Sequence, residues 1–154
     1  MGFEDLVMPG AVLAPHPAAN KRAAFAALGS HAAAMLGLEA GCVTEALWAR
    51  ERLGSTGFGG GVAIPHGRLD GVRGIGAVVM RLSAPIDYEA IDGRPVDLLF
   101  MLVGPEAGGA AHLKALARVS RSLRDEAFVA KLRGARDGAA LHALLCPEAH
   151  PLAA

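Results

Sequence analysis

The chain has 154 residues, 15 of them Lys or Arg against 15 Asp or Glu, and 53% of its residues are apolar. That length suits one domain with a full core, and the cancelled charge excludes a global pull towards nucleic acid or an anionic membrane. The densest apolar run, Val96–Gly104, is too short for membrane insertion, and the opening MGFEDLVMPG lacks the basic-then-apolar pattern of a leader.

In chain order, Val12–Leu13 reads as a short first strand, closed by Pro15 and Pro17. Asn20 reads as a helix cap. Behind it Phe25, Leu28, Ala32, Met35 and Leu36 recur at helical spacing until Gly37. A second helix is expected from Ala40 to Arg52, with Val43, Ala46, Leu47 and Arg50 on its inner face. A glycine-rich loop follows. Val62–Ile64 then reads as a short buried strand that Pro65 ends, because proline offers no ladder N–H. Gly74–Ser83 is a better strand, and Pro85–Gly93 is a connection with an extended piece near Tyr88. Val96–Gly104 has the continuous apolar character of a central strand covered on both faces.

From Gly109 the pattern is helical again, with His112, Leu116, Val119 and Leu123 on one stripe and Lys114, Arg118 and Arg121 facing solvent. Asp125 and Asp137 read as caps of two shorter helices ending near Arg133 and Leu145. The expected fold is therefore α/β: a three-layer α/β/α sandwich, its mixed β-sheet of four to five strands flanked by helices, as one domain over residues 1–154. Cys42 and Cys146 have no metal-type spacing and read as buried free thiols, which suits a reducing cytoplasm.

The chemistry centres on RERLGSTGFGGGVAIPHG, Arg50 to Gly67. Glycines relieve backbone sterics, and successive amides in such turns can cradle an anion. The order helix–loop–strand and the missing Lys set this loop apart from nucleotide-binding glycine motifs. Pro65 and Gly67 fix His66 at the carboxyl end of its strand, where layered α/β folds bind ligands. Arg50, in the last turn of its helix, suits either an anion site or a helix C-terminal dipole partner. His112 suits either a backbone hydrogen bond or a donor towards His66 near a helix's positive end. His16, His31, His142 and His150 read as structural or solvated. Phosphoryl transfer to an imidazole unites these parts. A neutral imidazole is nucleophilic near pH 7, and positioned donors stabilise the outer phosphoryl oxygens. Arg50, His112, Ser55, Thr56 and the loop amides, Gly57 included, are the candidate donors.

That stretch closely resembles the phosphorylation-site signature of enzyme IIA proteins of the fructose–mannitol type in the bacterial phosphoenolpyruvate phosphotransferase system. PIDYEAIDGRPVDLLFMLVGPE and HLKALARVSRSLRD resemble the following strands and helix of its nitrogen-regulatory branch, and VLAPHPAANKRAAFAAL resembles the first strand and helix more loosely. The resemblance implies that His66 is phosphorylated on Nε2 by an HPr-like phosphocarrier. It implies that Arg50 lies near the phosphate and that His112 is the second active-site histidine. It implies no metal and no tightly held cofactor. Family members commonly carry Asn at the position of Gly60 and a further histidine at that of Lys114. The free-standing chain fits the regulatory branch, whose phosphorylation state changes binding to target proteins such as a transporter or a kinase. A sugar-specific IIA passing phosphate to a IIB domain, and a binding module that never carries phosphate, are the alternatives. A hydrolase using His66, Ser55 and Asp70 lacks a nucleophile-elbow pattern, and a metal site on His66 and His112 lacks a third ligand. A homodimer is compatible with the chain.

Overall fold

The computed structural model describes residues 2–149; His150 lies outside them. The elements are β1 (Val7–His16), α1 (Lys21–Leu36), α2 (Ala40–Glu51), β2 (Gly57–Gly59), β3 (Val62–Ala63), β4 (His66–Leu69), β5 (Gly76–Ile86), β6 (Val96–Pro105), α3 (Gly109–Leu123), α4 (Glu126–Gly134) and α5 (Gly138–Leu145). The strands form one mixed sheet in the order β1-β5-β6-β3-β2, with β4 also on β6. β1 runs parallel to β5, β5 antiparallel to β6, and β3 and β4 both parallel to β6. β3 and β4 thus occupy one sheet position in succession, so six strands fill five positions.

β6 shows why the layers form. Leu98, Phe100 and Leu102 join the core under α3, α4 and α5, whereas Leu99, Met101 and Val103 join the core under α1 and α2. The two-residue alternation of a strand divides a continuous apolar run between two faces. The α/β/α sandwich follows directly. The capping reading holds as well. Asn20 Oδ1 accepts from Ala23 N at 2.8 Å, Asp125 Oδ1 from Ala127 N at 3.0 Å, and Asp137 Oδ1 from Ala140 N at 2.8 Å.

Three expectations need correction. The first strand is ten residues long, not two. It lies at the sheet edge, where Pro9 and Pro15 are tolerated because an edge strand has one unpaired side. Secondly, Pro65 does not end the strand position: pairing with β6 resumes at His66, opposite Leu102. Proline removes only its own donor, and the Pro65 carbonyl still accepts from Leu102 N at 3.0 Å. Thirdly, Cys42 is exposed, one residue off the buried Val43–Leu47 stripe, while Cys146 is buried.

Candidate functional site

His66 opens β4 and Arg68 follows on the same side of that strand, because alternate residues share a face. Gly67 between them points the other way, into α2. A methyl there would sit 3.0 Å from Ala46 Cβ and 3.2 Å from its carbonyl carbon, so glycine lets the helix lie directly on the strand. This close approach brings Arg50, one turn beyond Ala46, over the same cavity. On the other side, the first turn of α3 supplies His112. It lies against Gly104 of β6, where a Cβ would come within 3.2 Å of its Nδ1. Arg50, His66, Arg68 and His112 line one cavity of about 640 Å³. The sequence-distant trio of Arg50, His66 and His112 is therefore brought together.

The His66 and His112 ring centroids are 5.6 Å apart, with planes tilted by 49°. His66 Nδ1 lies 2.8 Å from the main-chain oxygen of Ile64. A carbonyl only accepts, so Nδ1 carries the proton, and in the neutral ring Nε2 holds a free lone pair. Burial pushes the His66 pKa below its ordinary value. The bond to Ile64 opposes that, the Arg50 charge adds to it, and the Glu51 charge opposes it. His112 is lowered too, by burial first and then by His66 and Arg68. Both shifts favour the neutral rings. His112 Nδ1 is buried and has no hydrogen-bond partner among the described residues. With Nδ1 enclosed and unpaired, the Nε2–H tautomer is the neutral form of His112 that can donate into the cavity. The N-cap of α3 is Gly108, with no side-chain cap, so the first-turn amides keep their partial positive charge.

Arg50 is half-buried, and its Nη1 donates to Gly54 O at 2.8 Å. It thus ties down the loop that leaves its helix while bordering the cavity. Ser55, Thr56 and Gly57 do not reach the cavity wall. Ser55 Oγ accepts from Gly57 N at 3.1 Å, and Thr56 is buried. The Thr56 hydroxyl donates to Glu51 Oε1 at 2.5 Å and lies 2.8 Å from the Tyr88 hydroxyl. His16, His31 and His142 are not among the cavity-lining residues, and His31 Nε2 lies 2.6 Å from Gly10 O. Asp70 accepts from Gly71 N rather than orienting His66, and the partner of His66 Nδ1 is a neutral carbonyl. A nucleophile–base–carboxylate arrangement is therefore not assembled here.

Sequence reasoning missed two parts of the site. Arg68 adds a second guanidinium; the His-x-Arg spacing signals it once β4 is known to be a strand. The other is a buried polar group behind the glycine loop. Lys21 Nζ meets Glu51 Oε2 at 2.8 Å and Tyr88 O at 2.8 Å, the two charged side chains being 15% and 3% exposed. Lys21 Nζ also lies 4.1 Å from the Tyr88 ring centre. Burial alone raises the Glu51 pKa, but the bonds from Lys21 and Thr56 outweigh it and hold the carboxyl below its usual range. Burial and the Glu51 charge push the Tyr88 phenol upward. Two exposed leucines, Leu53 (84%) and Leu113 (67%), flank the cavity from α2's end and from α3.

The sequence model described as "Phosphoenolpyruvate-dependent sugar phosphotransferase system, EIIA 2" matches residues 6–146. A nitrogen regulatory protein of Bradyrhizobium diazoefficiens is 46% identical over 145 residues, covering 94% of this chain and 95% of the relative. The crystal structure of nitrogen regulatory protein IIA-Ntr from Neisseria meningitidis superposes with a TM-score of 0.86 at 31% identity, over 92% of this chain and 97% of that one. The Escherichia coli mannitol IIA solved in complex with phosphorylated IIB shares the fold, with a TM-score of 0.76 at 20% identity over 92% and 99% of the two chains. No helix of the described residues is long and apolar enough to cross a membrane.

Proposed function

We propose that this chain, which belongs to the EIIA 2 family of the phosphoenolpyruvate-dependent sugar phosphotransferase system, is a phosphoryl carrier and regulator that takes phosphate on His66 Nε2. The observation that carries the reading is the His66 Nδ1–H bond to Ile64 O, which leaves Nε2 as the nucleophile beside two guanidiniums and a second imidazole. The Nε2 lone pair forms a bond to phosphorus as the donor's own N–P bond breaks, its electron pair returning to the donor nitrogen. Nδ1 keeps its proton, so the positive charge that the ring acquires is shared with Ile64 O. Arg50, Arg68, the His112 Nε2–H and the α3 amides stabilise the equatorial oxygens of a loose transition state. We assign Ser55, Thr56 and Gly57 to shaping the loop that carries Ile64. No step requires a cofactor or a metal.

The proposed donor is an HPr-like phosphocarrier, docking in the cytoplasm over the rim that Leu53 and Leu113 make apolar. Phosphorylation adds about two negative charges to that concave surface. Partners whose docking depends on the rim then distinguish the two states, which is the regulatory output proposed for the whole 1–154 chain. The nitrogen regulatory relatives favour this over transfer to a IIB domain, the reading that the mannitol protein suggests. Incubation with phosphoenolpyruvate and the two upstream phosphotransferase proteins should label the chain once, with acid-labile phosphate. Label that persists in His66→Ala refutes the assignment.

A further inference from the structure

A train of hydrogen bonds runs from the buried Glu51 to His66. Glu51 Oε2 accepts from Thr56 N at 3.0 Å and Oε1 accepts from Thr56 Oγ1 at 2.5 Å, so Thr56 is held by both main chain and side chain. Thr56 O accepts from Ile64 N at 3.1 Å. Ile64 O accepts from His66 Nδ1 at 2.8 Å. Ladder pairs to β6 flank this peptide, Ala63 opposite Leu99 and His66 opposite Leu102, and Thr56 holds it from the other side. Pro65 has no N–H, and its carbonyl has one main-chain donor, Leu102 N, on the β6 side. On the side away from β6 the bond from Ile64 N ties this stretch to Thr56, so what fixes Thr56 contributes to the orientation of the Ile64 carbonyl.

We infer that Glu51 is a positioning residue for His66: through Thr56 and Ile64 it holds the imidazole in the Nδ1–H form and keeps Nε2 as the open nitrogen. An ionised carboxylate suits this position because two oxygens accept three donors at once, from Lys21, Thr56 N and Thr56 Oγ1. A carboxamide of the same shape offers one oxygen and cannot satisfy all three. Lys21 keeps the carboxylate charged inside the fold, and Tyr88 borders the Thr56 hydroxyl, so a residue from α1 and one from the connection after β5 converge on the same point. Glu51 itself does not line the cavity, which separates its role from that of its neighbour Arg50. The tautomer claim stands on the bonds alone; its bearing on phosphoryl transfer rests on the function proposed above.

The test reads the tautomer directly, without a phosphoryl donor, and sets beside it a separate assay of phosphoryl acceptance. Protein labelled with ¹⁵N in its histidine rings is studied at pH 8 by long-range ¹H–¹⁵N correlation, for wild type, Glu51→Gln and Thr56→Val. Wild type should show His66 protonated at Nδ1. In Glu51→Gln the ratio of Nδ1–H to Nε2–H forms should fall about tenfold, the equivalent of one neutral hydrogen bond, while His112 stays Nε2–H. Thr56→Val, which keeps the main-chain acceptor and loses only the hydroxyl, should fall part of the way. It decides the matter if the Gln variant does not fold. An unchanged ratio in a folded variant, by either substitution, overturns the inference. Loss of phosphorylation with the tautomer unchanged overturns it too. A wild type that shows the Nδ1–H form yet takes no phosphate refutes the functional reading and leaves this one intact.

Discussion

Replacing Lys21 by methionine removes the cation paired with Glu51 and keeps most of the side-chain volume. The pair is 2.8 Å long and almost wholly enclosed, the carboxylate being 3% exposed. Removing one member of a buried pair leaves an uncompensated charge, at a cost of about 3 kcal/mol at the low end of the observed range. The low end applies because Thr56 still gives Glu51 two donors. For a chain of 154 residues that loss lowers the thermal midpoint by roughly 6–12 °C. The sign of the pH dependence is a second check. In wild type the Glu51 pKa is depressed, so its contribution to stability is present above the unfolded value and is lost as pH falls through the folded one. Without Lys21 the burial penalty dominates and the folded pKa rises. The deficit of Lys21→Met should then be largest at neutral pH and shrink on acidification, as Glu51 takes up a proton. Urea unfolding at several pH values measures this. The double variant Lys21→Met/Glu51→Gln should recover most of the loss. A deficit below about 1 kcal/mol, or one of constant size across pH, would refute the view that a buried charged pair anchors the loop.

Other consequences follow from the same geometry. Gly67→Ala places a methyl 3.0 Å from Ala46 Cβ; it should cost about 1–3 kcal/mol as α2 is forced off β4, and it should slow phosphorylation by displacing Arg50, both measurable on one preparation. Arg50→Lys keeps the charge but loses the planar fork; it should reduce the rate of phosphoryl acceptance about tenfold or more, and an undiminished single-turnover rate would remove Arg50 from the site. Because burial lowers the His66 pKa from its ordinary value, acceptance should fall on acidification with a midpoint below the ordinary imidazole value of about 6.5; a midpoint above it would contradict the depression by burial. The same depression makes His66 destabilising on acidification, since the unfolded ring takes a proton at higher pH than the folded one.

The layers and most helices were legible in the sequence because their signals are local. Asn20, Asp125 and Asp137 cap where expected, and the apolar run of β6 reads as a strand covered on both sides. β1 was shortened because its prolines and mixed burial hide an edge strand, whose identity depends on pairing with β5. Within the site, His66 was legible from the Pro-His-Gly bracket, and Arg50 and His112 from their places on apolar stripes. Arg68 was lost once Pro65 was read as a stop, since a histidine and an arginine two apart share a face only on a strand. The Lys21–Glu51–Thr56–Tyr88 group was not legible: its members span 67 residues between Lys21 and Tyr88, and each has an ordinary surface or loop reading taken alone.

The central claim is that Nε2 of His66 becomes bonded to phosphorus. Two-dimensional ¹H–¹⁵N and ³¹P NMR of the phosphorylated, histidine-labelled protein tests it most directly. One ring should show phosphorus coupling at Nε2 with the proton retained at Nδ1, and that ring should be His66. Phosphorus on Nδ1, or on the ring of His112, would contradict the account.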